Sequence, residues 1–242
     1  MSQPQPTSTA AFEPGGGILY AIGAYGLWGF IPIYFLVLAP AGPLEIVAWR
    51  VLFSVVFCAL VILVLRRGKT LARVFRDRRT MVSLGIAGVL VFINWQVYVF
   101  AVVTERVNEA ALGYFINPIV NVMLGVLVLH ERLRPLQWVA VALASLGVLW
   151  LTVLAGQPPW IALVLAFSFG LYGLIRKTAT LGALEGLTLE TLLLAPFALP
   201  LLAWWTLRGG GAMAQGDLSL NLWLLLAGPL TALPLLLFAA GA

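Results

Sequence analysis

The chain has 242 residues, of which 62% are apolar and only 10% are charged, whereas a soluble domain carries about 25% charged residues. With a mean hydropathy of +1.04, this excludes a water-soluble globule built around one buried core. The formal charge of +5 does not point to nucleic acid, because the basic residues sit in short connectors between long apolar runs, the usual orientation signal of a membrane protein.

Residues 1–16 are polar and rich in Pro, Ser, Thr and Gly, and read as a disordered cytoplasmic tail. They lack the basic start of a signal peptide, and the run that follows is too long for one, so it reads as a retained helix. Eight apolar spans are predicted, over 17–39, 44–65, 81–103, 108–129, 135–154, 158–175, 187–207 and 221–242. Each approaches the ~20 residues needed to cross a bilayer. The breaks are marked by Ala39-Pro40-Ala41-Gly42-Pro43, by Gly156-Gln157-Pro158-Pro159 and by Gly209-Gly210-Gly211. The single cysteine, Cys58, lies within the second span, so neither an intramolecular disulfide nor a two-thiolate metal site is available. No cofactor is expected.

Charge sets the orientation. Arg66, Arg67, Lys69, Arg73, Arg76, Arg78 and Arg79 follow the second span, Arg132 and Arg134 the fourth, and Arg176 and Lys177 the sixth. Only Arg106 and Arg208 fall on the opposite side. The crowded side is read as cytoplasmic, with the N-terminus inside.

A weak internal echo recurs at an offset of about 144 residues: Tyr25-Gly26-Leu27-Trp28-Gly29 aligns with Phe169-Gly170-Leu171-Tyr172-Gly173. The first copy, 17–154, holds five spans, and an odd number inverts the second copy, 158–242, as in many secondary transporters. Chance likeness between two apolar helices is the competing explanation. The second copy holds three spans and runs out in Leu237-Phe238-Ala239-Ala240-Gly241-Ala242, with no polar stop. Two further helices are expected to complete it.

Polar groups inside a bilayer are costly and face a cavity or a partner. Arg50 lies seven residues, roughly 10 Å, below the outer end of the second span. Glu45 is five residues away, which is not a facing pair on a helix; Glu109 is a candidate partner from the fourth span. Arg50 either lines a pathway or snorkels to the outer headgroups. Asn94 and Asn117 fall near mid-depth, and Tyr114, Asn117 and Asn121 share one helix face. They either meet a substrate or tie helices together. Pro118 and Pro32 free the carbonyls of Tyr114 and Trp28. Trp28 and its counterpart Tyr172 either contact a ligand or pack. Pro196 and Pro200, and Pro229 and Pro234, mark expected kinks in the last two spans. Ala140, Ala144 and Gly147 form a small-residue stripe on the fifth span that suits helix packing, including a homodimer contact. Glu190 is read as sitting near the inner surface, as a gating or an interfacial residue.

Several stretches resemble RarD-type proteins of the EamA and drug/metabolite transporter group. Gly26-Leu27-Trp28-Gly29 with Pro32 and Tyr34 is similar to their first helix, Glu45 with Arg50 to their second, and Asn94-Trp95 to their third. The most specific stretch is Glu109-Ala110-Ala111-Leu112-Gly113-Tyr114-Phe115-Ile116-Asn117-Pro118, followed by Glu131-Arg132-Leu133. Gly228-Pro229-Leu230-Thr231-Ala232-Leu233-Pro234-Leu235 is similar to the eighth helix. The resemblance implies an all-α integral membrane fold, with these eight helices part of a ten-helix 5+5 inverted-repeat bundle. It also implies a permease of the bacterial cytoplasmic membrane whose partners are a small-molecule substrate and the lipid bilayer. The leading expectation is therefore transport of a small metabolite or drug. A truncated or non-transporting membrane subunit is the alternative. An enzyme is disfavoured, since no HExxH, G-x-S-x-G or phosphate-binding loop is present.

Overall fold

The computed structural model describes residues 14–156, 158–178, 181–215 and 217–241. All regular structure among them is helical. A bilayer offers no water to backbone N–H and C=O groups, so an apolar chain must satisfy them within each helix. The elements are α1 (Pro14–Val37), α2 (Pro43–Val64), α3 (Gly68–Val74), α4 (Arg78–Val103), α5 (Val107–Val128), α6 (Pro135–Ala155), α7 (Trp160–Thr178), α8 (Ala183–Leu207), α9 (Leu218–Leu225) and α10 (Ala227–Gly241). Counting α9 and α10 together, eight helical spans among the described residues are long and apolar enough to cross a membrane.

Several boundaries differ from the sequence reading, each for a local reason. The tail expected over 1–16 lies outside the described residues as far as residue 13, and Pro14 already opens α1. The first span stops at Val37, and Pro40 and Gly42 lead through a 3₁₀ turn into α2, with Gly42 at φ 75°. α4 starts at Arg78 rather than 81 because the Asp77 carboxylate caps it, accepting from Arg79 N at 3.0 Å. α8 begins four residues early, at Ala183, and its added turn is buried. The eighth span is broken at Leu226. The ring of Pro229 opposes the carbonyl four residues back, at Leu225, where α9 ends. By contrast, the helices run on through Pro32, Pro118, Pro196, Pro200 and Pro234. The short α3 lies in what reads as a basic loop, and its Leu71 and Val74 pack with Leu84 and Leu189.

α2 packs along α8, and α10 wedges against both α1 and α2; α7 lies between α4 and α5. One large core runs from Phe35 through Val51, Trp95 and Leu194 to Ala232. Smaller cores join α4 and α5 to α7. Two glycines permit the closest approaches. A Cβ on Gly228 would run into the Phe53 carbonyl of α2, and one on Gly113 would sit 3.1 Å from Leu165 and the Ala162 carbonyl of α7. α6 packs chiefly on α5, and none of its span is buried.

Candidate functional site

Arg50 is 7% exposed and does not snorkel. Its guanidinium stacks over Trp95 of α4 at 4.2 Å and lies 5.5 Å from the Phe35 ring of α1. Its Nε donates to Thr231 Oγ1 of α10 at 2.6 Å, and that hydroxyl spends its own proton on the Ala227 carbonyl at 2.6 Å. Four helices thus hold one charge: α2 carries it, α1 and α4 supply rings, and α10 orients it. Further rings continue the lining, with Phe35 against Tyr98 at 6.2 Å and Tyr98 against Tyr114 of α5 at 6.1 Å.

Neither carboxylate considered for Arg50 is paired with it. Glu45 turns to the second half of the chain. It accepts the Ala212 N–H on both oxygens, at 2.8 and 3.0 Å, and the Trp49 indole N–H at 3.2 Å. Glu109 is taken by its helix neighbour Arg106, through two bonds of 2.6 and 2.8 Å. Pairing one turn apart costs less chain ordering than reaching across the bundle, which is why the nearer arginine wins.

The mid-depth amides divide. Asn94 donates to the Leu165 carbonyl at 3.0 Å and to Ser168 Oγ at 3.1 Å, tying α4 to α7. Asn121 donates to Asn117 at 2.7 Å along α5. Asn117 is 8% exposed, while Tyr114 on the same face is 59% exposed. That face runs down to a cavity of about 260 Å³ lined by Asn121, Gly125, Glu131, Gly173 and Lys177, two of which, Lys177 and Glu131, pair at 2.9 Å. Trp28 is half-buried and joins the edge of the main core, with Tyr25 edge-on at 5.5 Å. The polar line therefore connects the arginine, through Tyr98 and Tyr114, to the end of the bundle where the basic residues gather.

Glu190 differs most from its sequence placement. It is fully buried between α8 and α7, about seven residues inside the end of α8. Its Oε2 accepts from the Tyr172 hydroxyl at 3.2 Å, and its Oε1 lies 3.6 Å from Arg176 Nε. Neither Oε1 nor Arg176 Nη1 has a hydrogen-bond partner. Arg176, counted among the solvated loop cations by its place in the sequence, is in fact drawn against Gly186, where only a residue without Cβ leaves room. Thr231 and Arg176 enter the sequence reading only within a motif stretch and as an orientation charge, not as site residues. A threonine in an apolar run carries no local signal, and its partner lies 181 positions away.

A polytopic bundle of apolar helices with charges buried in its interior has the build of a membrane transporter. The EamA-like transporter family matches residues 15–153, more than half of the chain, and the chain belongs to that family. Within it the chain is of the RarD type. It is 43% identical to Protein RarD of Streptomyces exfoliatus over 93% of this chain and 72% of that protein. It is 40% identical to Protein RarD of Escherichia coli, covering 93% and 76%. It is also 32% identical to the chloramphenicol-sensitive protein RarD of Pseudomonas aeruginosa, over 78% and 65%. No solved structure matches. The family is one of transporters, which favours transport over an enzyme or a non-transporting subunit.

Proposed function

We propose that the chain moves a small metabolite or drug across the bacterial cytoplasmic membrane by alternating access of two inverted repeats, 17–154 and 158–242, with its N-terminus in the cytoplasm. The observation that carries this is Arg50, a buried charge held by α1, α2, α4 and α10, so that residues from both repeats build one site.

The helix pairings support the repeat. Exchange α1 with α7, α2 with α8, and α4 with α9–α10. The α1–α10 pair then becomes α7–α4, α2–α10 becomes α8–α4, α2–α4 becomes α8–α10, and α2–α8 returns to itself; each of these pairs is in contact. In an inverted repeat the site lies between the halves and opens to one side or the other as they rock. Trp28, Tyr114, Asn117, Asn121 and Tyr172 are the proposed lining, and Glu131–Lys177 and Glu190–Arg176 the inner closure. The eleven basic residues gathered on one side support the orientation.

The test is flux in proteoliposomes containing the complete protein. Arg50→Ala should abolish flux while the variant still inserts and elutes as a single species. Undiminished flux from a well-inserted variant would remove Arg50 from the pathway.

A further inference from the structure

We infer that the Arg50 site takes an organic anion with a flat apolar body, such as an aromatic carboxylate, sulfonate or phosphonate; this rests on reading the site as the translocation site. The first observation is unbalanced charge. Among the described residues no carboxylate lies within ion-pair distance of Arg50. The acids nearest in sequence or expected from the fourth span are spent: Glu45 on Ala212 and Trp49, Glu109 on Arg106. Asp217, in the same outer connector as Ala212, caps α9 by accepting from Ser219 N and Leu220 N. A buried cation with no counter-charge is only partly compensated by one hydroxyl and an aromatic face, so an anion that reaches it is strongly favoured.

The second observation is directed hydrogen bonding. Nε is bound to Thr231, which fixes the plane of the guanidinium, while the Nη1 and Nη2 groups meet no acceptor among the described residues. Two parallel N–H donors on one edge match a carboxylate, sulfonate or phosphonate in bidentate fashion. The third observation is shape. Phe35 and Trp95 present rings to the charge, and Tyr98 and Tyr114 continue the aromatic row from Phe35; aromatic faces favour a flat apolar partner. A cation meets the same rings but is repelled by Arg50, and a neutral molecule leaves the charge unmatched. Discrimination therefore comes from the penalty as well as from the attraction.

The experiment measures equilibrium binding of benzoate, benzenesulfonate and phenylphosphonate to the full chain in lipid nanodiscs, against benzamide and benzylamine as neutral and cationic counterparts. At least one anion should bind about ten-fold tighter than benzamide, the worth of one charge-assisted hydrogen bond. Benzylamine should bind least. Arg50→Gln should erase the preference, and Arg50→Lys should restore part of it. Thr231→Val keeps the charge but releases its orientation, and should weaken anion binding alone. It serves as the folded control should Arg50→Gln fail to insert. Equal affinity for benzoate and benzamide, preference for benzylamine, or no binding that depends on Arg50 or Thr231 overturns the inference. Flux in proteoliposomes separates the two readings. Arg50-dependent anion binding without flux sinks transport and leaves the anion site standing. Flux of neutral or cationic probes without anion preference does the reverse.

Discussion

A carboxylate sealed inside a bundle depends on its counter-charge. Glu190 is fully buried, with Arg176 and Tyr172 as its polar company. Removing one member of such a pair leaves a bare charge and costs on the order of 3–5 kcal/mol, whereas replacing both with apolar groups is often neutral. Arg176→Met alone should therefore lower the thermal unfolding midpoint in detergent markedly, and Arg176→Met with Glu190→Leu should recover most of the loss. A double variant no better than the single would mean that the pair adds nothing beyond packing. Asp77 shows the same dependence at the surface. Its hydrogen bond from the Thr80 hydroxyl, and the backbone N–H groups behind it, hold its carboxyl below the usual aspartate range. A depressed folded value means that the cap stabilises at and above the ordinary aspartate range and fades as pH falls through the lowered one. Protection of the Arg79 and Thr80 amides against hydrogen exchange, relative to their intrinsic rates, should thus fall on acidification, and Asp77→Asn should remove that pH dependence. At this scale Arg50 could be picked out in advance, because an arginine within an apolar run is conspicuous. Thr231, Glu190 and Arg176 could not be joined to their partners, because their contacts are set by how distant helices meet.

Helices were easier to read than the ends between them. Each span needs about 20 apolar residues, and length alone finds it. The break at Leu226 is less visible, since Pro229 interrupts α9–α10 while Pro196 and Pro200 leave α8 continuous. Where the freed backbone groups of a proline find other satisfaction, the helix runs on. Glycine roles are equally contextual. Gly228 meets the backbone of α2 directly, whereas Gly147 on α6 has open space around it. Gly228→Ala should depress the unfolding midpoint, as expected when a rigid neighbour cannot yield. Gly147→Ala should leave it unchanged or slightly raised, because alanine is the better helix former by about 1 kcal/mol. The reverse order would mean that α6 meets a partner which the isolated chain does not reveal, such as a second copy across the Ala140, Ala144 and Gly147 stripe.

Under the proposed exchange of halves, the pairings at the centre of the molecule map onto one another, while its margins differ. A Cβ on Gly170 of α7 would meet Val120 and Asn121 of α5, while one on its counterpart Gly26 in α1 would meet nothing among the described residues. The proposed exchange of halves carries α5 onto the face of α1 that holds Ile22, which is exposed among the described residues. The echo around Trp28 and Tyr172 hinted at this relation. The helix pairings support it far better, since they do not depend on side-chain identity.

Glu45 has a kinetic meaning beyond its geometry. Its carboxylate ties the start of α2 to Ala212, in the connector before α9, by one charge-assisted hydrogen bond whose N–H is shared between both oxygens. Such a bond contributes about 1.5–3 kcal/mol. If the outer ends of the halves must part during a cycle, this clasp has to release every time, and its strength sets how rarely the outward-facing form is occupied. Weakening it by one decade of equilibrium constant takes about 1.4 kcal/mol, within reach of Glu45→Gln. That variant should increase labelling of a cysteine placed at Met213 by impermeant thiol reagents. The native Cys58 is buried and contributes no competing signal. The protein would then cycle with its outer door ajar, binding from that side more readily and resetting more slowly.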